Sequence, residues 1–381
     1  MVGAAHGLRD RAFKFRRLHG GKMMKGLILT AAFILAALQC AAKVDIVHKD
    51  NLSDKRAGMH REKYTASFDK FSLYAEYTLE GDRIVREAWG DHFFGLKLGY
   101  SPKNGGWSIW DFLNVYVKDS EGRMVDAIGA SRPVLFAGYS AGGADFLAAE
   151  WLAPDGKRLK LLFAAYPSHR EWIFVRVDLG GAGVERIDFN AYPGNAAVPE
   201  GRERHFATLE NDWILNKESA AFKPKTSSAL LYSRYIDDRF GNKIVFDERL
   251  IESVTVPRTA SKISVRFKPA EDAKAAVFAL GYFAYKEPSD QVTRFLGEEG
   301  DSIAGFLRAV DWDAEPKSDD FRLSVKIALL MGVERKRLES VTKRYLKAVK
   351  AKDMAAVAEC CGEVLEMRRR KTAEELELLK K

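Results

Sequence analysis

Residues 71–79 read FSLYAEYTL, a stretch in which an apolar side chain occupies every second position. The same period of two returns in residues 113–118, 159–165 and 173–179. Alternation of this kind is typical of antiparallel strands that bury one face against a core and leave the other face polar. It is the dominant pattern between residues 64 and 285, and it therefore predicts a protein built mainly of β-strands.

Turn sequences separate the alternating runs. The segment Pro154-Asp155-Gly156-Lys157 combines a proline of preset φ with a glycine that tolerates positive φ, which is the chemistry of a tight hairpin. Further strands are predicted at residues 229–235, 243–246, 261–268 and 275–285. About a dozen strands joined by turns, without helices between them, predict a large antiparallel β-sandwich, which we place at residues 43–287.

The period changes after residue 287. Leu338, Val341 and Tyr345 recur at the spacing of one face of a helix. Residues 288–381 are therefore predicted to form a helical C-terminal segment, and the fold class is mainly β: a sandwich followed by helices. The basic run at residues 335–337 is typical of a solvated helix face, with contact to an anionic envelope surface as the alternative.

A leader is predicted at residues 1–42. Lys22 and Lys25 precede an uncharged apolar run at residues 26–38, and small residues follow up to Ala42. A basic end, a short apolar centre and small residues before a polar segment are typical of a secretory signal peptide. The run is shorter than the ~20 residues of a membrane span. We therefore expect cleavage after Ala42, a secreted or periplasmic protein and no transmembrane span in the mature chain, with an uncleaved N-terminal anchor as the alternative.

The basic character of the chain comes mostly from this leader. The full chain carries 61 Lys and Arg against 53 Asp and Glu, a net charge of +8. Removing the seven basic residues and the one acidic residue of the leader leaves 54 against 52, a net charge of +2. A mature chain whose basic and acidic residues nearly cancel does not indicate a nucleic-acid partner, because binding to nucleic acid requires a concentrated basic face. We predict no nucleic-acid binding.

Cysteine and histidine usage indicates neither a disulfide framework nor a metal site. Cys360 and Cys361 are the cysteines of the mature chain, and adjacent cysteines bridge only through a strained turn. His92 has no second histidine at i+2 or i+4 with which to form a chelating pair. We assign no metal site and no cofactor.

One segment resembles a catalytic motif. Gly138-Tyr139-Ser140-Ala141-Gly142 is similar to the nucleophile elbow of the α/β-hydrolases, and the resemblance implies a secreted serine hydrolase with Ser140 as nucleophile. The family places its triad histidine after the serine, but here only His169 and His205 follow. A hairpin turn also comes directly after residues 144–153, where the family has a helix. We therefore predict a glycine-rich turn between two strands and an unreactive Ser140.

Two segments combine aromatic and polar side chains in a way that suits sugars. Indoles offer apolar platforms for sugar rings, and neighbouring carboxylates, amides and guanidinium groups bind the hydroxyls. The ligand-binding candidates are Trp107, Trp110, Asp111, Arg204, His205 and Trp213. We predict that the two segments converge on one ligand face; the alternative for Trp107 is a place in the core.

These patterns lead to a hypothesis of function. Exported sandwiches of this size look broadly like carbohydrate-associated modules of bacteria, an analogy at the level of the fold. The chain is therefore interpreted as an exported bacterial β-sandwich protein that binds or processes carbohydrate outside the cytoplasm, with a glycan as partner. Catalytic candidates for processing are Asp91, His92, Asp111, His205 and Asp212. The alternatives are the serine hydrolase built on Ser140 and a structural envelope protein without a ligand.

Overall fold

The computed structural model describes residues 43–50, 59–85, 95–100, 108–191, 203–233, 240–259, 262–284, 292–314, 318–351 and 353–379. The predicted leader lies outside these residues, and so do the site candidates Asp91, His92 and Trp107. The described part of the chain is mainly β, with two large antiparallel sheets and helices at the C-terminus. The predicted fold class is confirmed.

Twenty strands are present in the described residues. In chain order they are β1 Lys43–Asp50, β2 Met59–Ser67, β3 Phe71–Glu80, β4 Arg83–Ile84, β5 Gly95–Tyr100, β6 Ser108–Lys118, β7 Met124–Asp126, β8 Pro133–Ala141, β9 Ala144–Leu152, β10 Arg158–Ala165, β11 Trp172–Asp178, β12 Val184–Ala191, β13 Arg204–Ala207, β14 Asp212–Ile214, β15 Ala220–Phe222, β16 Ser228–Ser233, β17 Phe240–Phe246, β18 Ile251–Val256, β19 Ile263–Pro269 and β20 Ala275–Ala284.

The strands form two sheets. Sheet A follows the order β1-β2-β3-β5-β6-β12-β19-β18-β15, with β4 paired to β3 and β7 paired to β6. Sheet B follows the order β14-β13-β16-β17-β20-β11-β10-β9-β8. Several neighbours, such as β6 and β12, are far apart in sequence, so the sheets depend on long-range pairing.

The main core lies between the two sheets. Phe71, Leu73 and Tyr77 of β3 are buried in it, together with Val175 and Val177 of β11 from the other sheet. The residues between these core positions lie on the opposite faces of their strands, because successive side chains of a strand alternate. The alternation read from the sequence thus separates the core face of each sheet from its outer face.

Helices follow the strands at the C-terminus. The helices are α1 Ala127–Ala130, a π-helix Phe295–Glu299, α2 Gly300–Ala309, α3 Ser318–Leu330, α4 Arg335–Lys350 and α5 Met354–Leu379, with 3₁₀ turns at Pro167–His169 and Glu248–Leu250. No helix in the described ranges is both long and apolar enough to cross a membrane.

A second core joins the helical segment to the outer face of sheet B. Phe295 of the π-helix and Ile303 and Leu307 of α2 pack there against outward-facing residues of the sheet. The approach is closest at Gly300, where an added Cβ would lie 2.7 Å from the Cβ of Ser228 on β16. A third core holds α3, α4 and α5 together. The strand residues of the second core all belong to sheet B, so the polar outer face of sheet A lies outside it.

Candidate functional site

The structure brings together two of the predicted site residues, His205 and Asp212, on the outer face of sheet B. Strand β13 pairs with both β14 and β16, which places His205 opposite Tyr232. His205 Nδ1 lies 2.9 Å from Asp212 Oδ1, and the Tyr232 hydroxyl donates to Asp212 Oδ2 at 2.6 Å. The Tyr232 ring stacks on the imidazole with 4.7 Å between ring centroids. The carboxylate of Asp212 therefore orients the histidine ring.

The other ring nitrogen of His205 faces Glu203. His205 Nε2 lies 3.5 Å from Glu203 Oε2, beyond the usual length of a hydrogen bond. Lys217 bonds the same carboxylate at 2.8 Å and, mainly through that bond, lowers the pKa of Glu203. His205 is only 1% exposed, so its ring is shielded from any ligand in solution. The environment of His205 therefore fits a structural role at the edge of sheet B better than the role of a catalytic base.

Arg204 and Trp213 lie beside this cluster but contribute to packing in the interior of the sandwich. Arg204 is fully buried, and its backbone N–H donates to Asn216 Oδ1 at 2.8 Å. Trp213 packs against the main core and stacks with Phe206 and Phe222, at centroid distances of 5.8 and 5.1 Å. Its indole is thus part of an aromatic stack at the margin of the core.

The other predicted segment belongs to a different sheet. Trp110 and Asp111 lie on β6 in the middle of sheet A, whereas Arg204, His205 and Trp213 lie on β13 and β14 at one edge of sheet B. Only the backbone of Trp110 and Asp111 is described.

Ser140 lies at the end of a β-hairpin. Strands β8 and β9 are antiparallel, and the turn between them uses Gly142 and Gly143 at φ values of +57° and +81°. The Ser140 hydroxyl donates to Asp145 Oδ1 at 2.8 Å, and burial raises the pKa of that carboxyl group. A nucleophile elbow requires a strand, a turn and then a helix. The segment instead forms the glycine-rich turn between strands that the sequence predicts.

A group of polar residues that the sequence analysis did not select lies on the outer face of sheet A. The registers place Lys63 opposite Glu76, Glu76 opposite Gly95, and Asp188 between Asn114 and Arg266. Strands β5 and β6 connect the two halves, since Leu96 and Leu113 pair next to Gly95 and Asn114. We call this line the cross-sheet row, defined as Lys63, Glu76, Gly95, Asn114, Asp188 and Arg266. It crosses five inter-strand spacings of ~4.8 Å, about 24 Å.

Hydrogen bonds fix the central residues of the cross-sheet row. Asn114 Nδ2 donates to Asp126 Oδ2 at 2.8 Å, and Asn190 Nδ2 donates to Asn114 Oδ1 at 2.7 Å. Arg186 Nε donates to Asp188 Oδ1 at 2.8 Å. These contacts join residues from three strands, β6, β7 and β12, so the amide and carboxylate groups are held in set orientations.

Two arginines and a tyrosine surround Asp188. Arg266 Nε lies 3.9 Å from Asp188 Oδ2, and the Arg186 guanidinium lies over the Tyr116 ring, 4.0 Å from its centroid. Asp188 is only 3% exposed, and this burial raises its pKa to about 6, against the opposing effect of the two arginines. Burial, followed by the charge of Asp188, raises the pKa of Tyr116. Raised carboxyl pKa values of this kind occur both at functional sites and in structural ion-pair networks.

Strand β5 lies beside these groups in sheet A. Leu96 and Leu98 are buried in the main core, so Gly95, Lys97 and Gly99 occupy the outer face. Two of these three positions carry no side chain, and a Cβ added to Gly99 would lie 4.0 Å from the Tyr74 ring. The Nζ atoms of Lys63 and Lys97 lie 4.4 and 5.9 Å from the ring centroid of Tyr74 on β3.

The sequence carries a signal for this site, but a weak one. Asn114, Asp188 and Asn190 sit at the polar positions of alternating strands, where solvated residues are the rule. What distinguishes them is their burial, since Asp188 and Asn190 are less exposed than an open sheet face would make them. Burial of outward-facing residues depends on neighbouring strands, and those are known only from the fold.

Comparison with known proteins gives remote structural likenesses. No protein-family model matches the chain, and no curated protein matches it. The α-N-acetylgalactosaminidase NagBb of Bifidobacterium bifidum is similar over 58% of this chain and 36% of its own, at 7% identity and a TM-score of 0.39. A predicted aldose 1-epimerase of Klebsiella pneumoniae is similar over 69% of this chain and 92% of its own, at 9% identity and a TM-score of 0.36.

A third likeness is to the α-galactosidase AgaA of Geobacillus stearothermophilus, over 63% of this chain and 41% of that protein, at 13% identity and a TM-score of 0.30. The chain thus spans well under half of the two glycosidases it resembles. These neighbours bear the names of carbohydrate-active enzymes. We take no residue role from them.

Proposed function

We propose that the outer face of sheet A binds a saccharide, and that the protein does so outside the cytoplasm. The observation that carries the proposal is the cross-sheet row, in which amide, carboxylate and guanidinium groups share one sheet face with Tyr74 and Tyr116. Export rests on the leader predicted at residues 1–42.

The architecture supports this face as the place of binding. The space between the sheets is filled by the main core, and the C-terminal helices pack on the outer face of sheet B. Saccharide sites need an accessible surface with a few well-placed polar groups. On the outer face of sheet A, the Arg266 side chain is 40% exposed and Asn114 and Tyr116 are partly exposed, whereas Asp188 and Glu76 are nearly buried. The partly exposed groups are therefore the ones that a saccharide would contact.

The polar groups are also held in place before a ligand arrives. Asn114 is bonded to both Asp126 and Asn190, and Asp188 is bonded to Arg186. Fixed side chains lose little conformational entropy on binding, so more of the interaction energy appears as affinity. Neighbouring hydroxyls of a sugar ring suit such paired donors and acceptors.

The position of β6 links this face to one of the segments predicted from sequence. Trp110 and Asp111 precede Asn114 on the same strand, and β5 is its neighbour in the sheet. The predicted segment therefore shares a strand with the cross-sheet row. The segment around His205 lies in the other sheet, and we assign it a structural role.

Carbohydrate processing is the second candidate function. The observation in its favour is Asp188, whose pKa of about 6 allows it to give or take a proton near neutral pH. Hydrolysis requires a second carboxylate beside the same bond, and Glu76 of the cross-sheet row is bound to Arg61 at 3.1 Å. Binding therefore has the stronger support.

A pair of variants on β19 tests the proposal. Arg266→Gln removes a guanidinium group from the cross-sheet row, and Lys268→Gln removes the same charge two residues away, where Lys268 pairs with Glu252. We expect mature protein to bind glycans on an array, and Arg266→Gln to lower the affinity about tenfold, the loss of one charge-assisted hydrogen bond. The Lys268→Gln control should retain the affinity. Absence of glycan binding by the parent, or equal loss in both variants, would contradict the proposal.

A further inference from the structure

Helix α4 has an unusual distribution of charge. Its sequence, RKRLESVTKRYLKAVK, contains seven basic residues and a single acidic one, Glu339. Leu338, Val341, Tyr345 and Ala348 form its buried side and pack into the third core, against α3 and α5. The rest of the helix is therefore available to solvent.

Four lysines form a line along the exposed side of α4. At 100° per residue they fall within an arc of about 60° on the side opposite the buried residues, and their first and last members are about 21 Å apart along the axis. All four are exposed. We call this line the lysine stripe, defined as Lys336, Lys343, Lys347 and Lys350.

Several other charged residues of the helical segment are paired. Arg335 bonds Glu339 at 3.1 Å on the same helix, and Arg344 pairs with Glu363 of α5. Within α5, Arg370 bonds Glu366 at 3.0 Å. Among the residues the structure describes, the lysine stripe takes part in no such ion pair. The stripe therefore differs from a helix face on which opposite charges alternate.

This arrangement has an energetic cost. Lys343 and Lys347 are four residues apart, and Lys347 and Lys350 are three apart, so each pair of like charges is adjacent on the helix surface. Such pairs of like charge destabilise a helix. A bound row of negative charges would convert this repulsion into attraction.

We propose that the lysine stripe binds a linear polyanionic polysaccharide, one that carries carboxylate or sulfate groups along a single chain. Glu339 and Leu346 flank the stripe on one side, and Ser340, followed by Arg344 and Arg337, flanks it on the other. A linear polyanion matches the four lysines, which follow one another along the helix axis for about 21 Å. Binding to an anionic membrane is the competing outcome that the vesicle measurement below tests. The predicted export of the protein favours polysaccharides over nucleic acids as the polyanions it meets.

The stripe is independent of the cross-sheet row, since it lies on the helical segment and not on sheet A. The two sites can therefore be tested separately. The Arg266→Gln variant should bind polyanions as the parent does, and a stripe variant should retain binding at sheet A.

The test compares two fourfold variants of the mature protein. One replaces the lysine stripe with glutamines. The matched control replaces four ion-paired lysines with glutamines, so the net charge changes by the same amount. These lysines are also more than half exposed: Lys118, Lys157, Lys217 and Lys225. Binding to polygalacturonate and to sulfated dextran is measured by calorimetry at several salt concentrations, with neutral dextran as the uncharged polymer.

We expect the parent and the control variant to bind both polyanions and not neutral dextran. The stripe variant should lose about tenfold in affinity, as expected for four exposed ion pairs, and its affinity should depend less on salt. Its melting temperature should not fall, because the repulsion within α4 is removed. Equal loss in the control, or equal binding of neutral dextran, would overturn the proposal. Tighter binding of the parent to phosphatidylglycerol vesicles or duplex DNA would also overturn it.

Discussion

Replacing Asp188 with asparagine should change how the stability of the protein depends on pH. Asp188 is 3% exposed on the outer face of sheet A, where burial raises its pKa from 3.8 to about 6. The Asp188→Asn side chain has nearly the same shape and keeps a carbonyl oxygen for the bond from Arg186 Nε. It cannot ionise, so the substitution removes the titration while preserving most of the packing.

The expected direction follows from proton binding. Between pH 3.8 and about 6 the folded protein holds the proton of Asp188 while the unfolded chain has lost it, so the free energy of unfolding falls as pH rises. Below this window both states are protonated and the carboxyl group has no effect. Above it the full cost of a buried charge is present. A pKa shift of this size changes the free energy of unfolding by about 3 kcal/mol across the window, at 1.36 kcal/mol per pKa unit.

Urea unfolding of the parent and of Asp188→Asn at several pH values between 3.5 and 8 measures this effect. Titrating groups that do not interact with Asp188 contribute equally to both proteins and cancel in the difference, whereas Asp126 interacts with Asp188 and contributes a smaller coupling. Relative to the parent, the variant should gain about 2–3 kcal/mol of unfolding free energy between pH 3.8 and pH 7. A difference that does not vary with pH, or that changes in the opposite direction, would refute the reasoning about this carboxyl group.

Three further predictions concern other parts of the chain. Gly300→Ala should lower the unfolding free energy by about 1–3 kcal/mol, because its Cβ would lie 2.7 Å from that of Ser228. Gly305→Ala, with open space around it on the same helix, should instead raise the unfolding free energy by about 0.5–1 kcal/mol. Urea unfolding that gives the two variants the same stability would contradict this packing. A fluorophosphonate probe should leave the protein unlabelled, and labelling that disappears in Ser140→Ala would restore the hydrolase hypothesis. Mass spectrometry of exported protein should find Lys43 as the first residue, whereas an intact N-terminus in the cytosolic fraction would exclude export.

Local sequence was sufficient for the fold class. Apolar residues at alternate positions, as in Phe71, Leu73 and Ala75, identify a strand and its buried face without any knowledge of its neighbours. The glycine pair at 142–143 identifies the turn between β8 and β9, because positive φ is accessible to glycine at little cost. The change of period after residue 287 likewise predicts the helices.

The candidate sites depended on more than local pattern. His205 and Asp212 are close in sequence, and the pairing of β13 with β14 brings them into contact. Trp110 and His205 share an aromatic-polar character, but their strands belong to different sheets. Similar composition predicts similar chemistry and carries no information about distance.

The sequence by itself determined which residues face the core, since the two-residue period of a strand is a local property of the backbone. It also determined the order of strands and helices along the chain. Only the tertiary structure decided that β6 pairs with β12, and β12 with β19, over separations of about 70 residues or more. That pairing places Asn114, Asp188 and Arg266 in one line and buries the carboxylate of Asp188. This candidate site depends on the order of strands in the sheet, which is set by the packing of the whole fold and not by the pattern of any single strand.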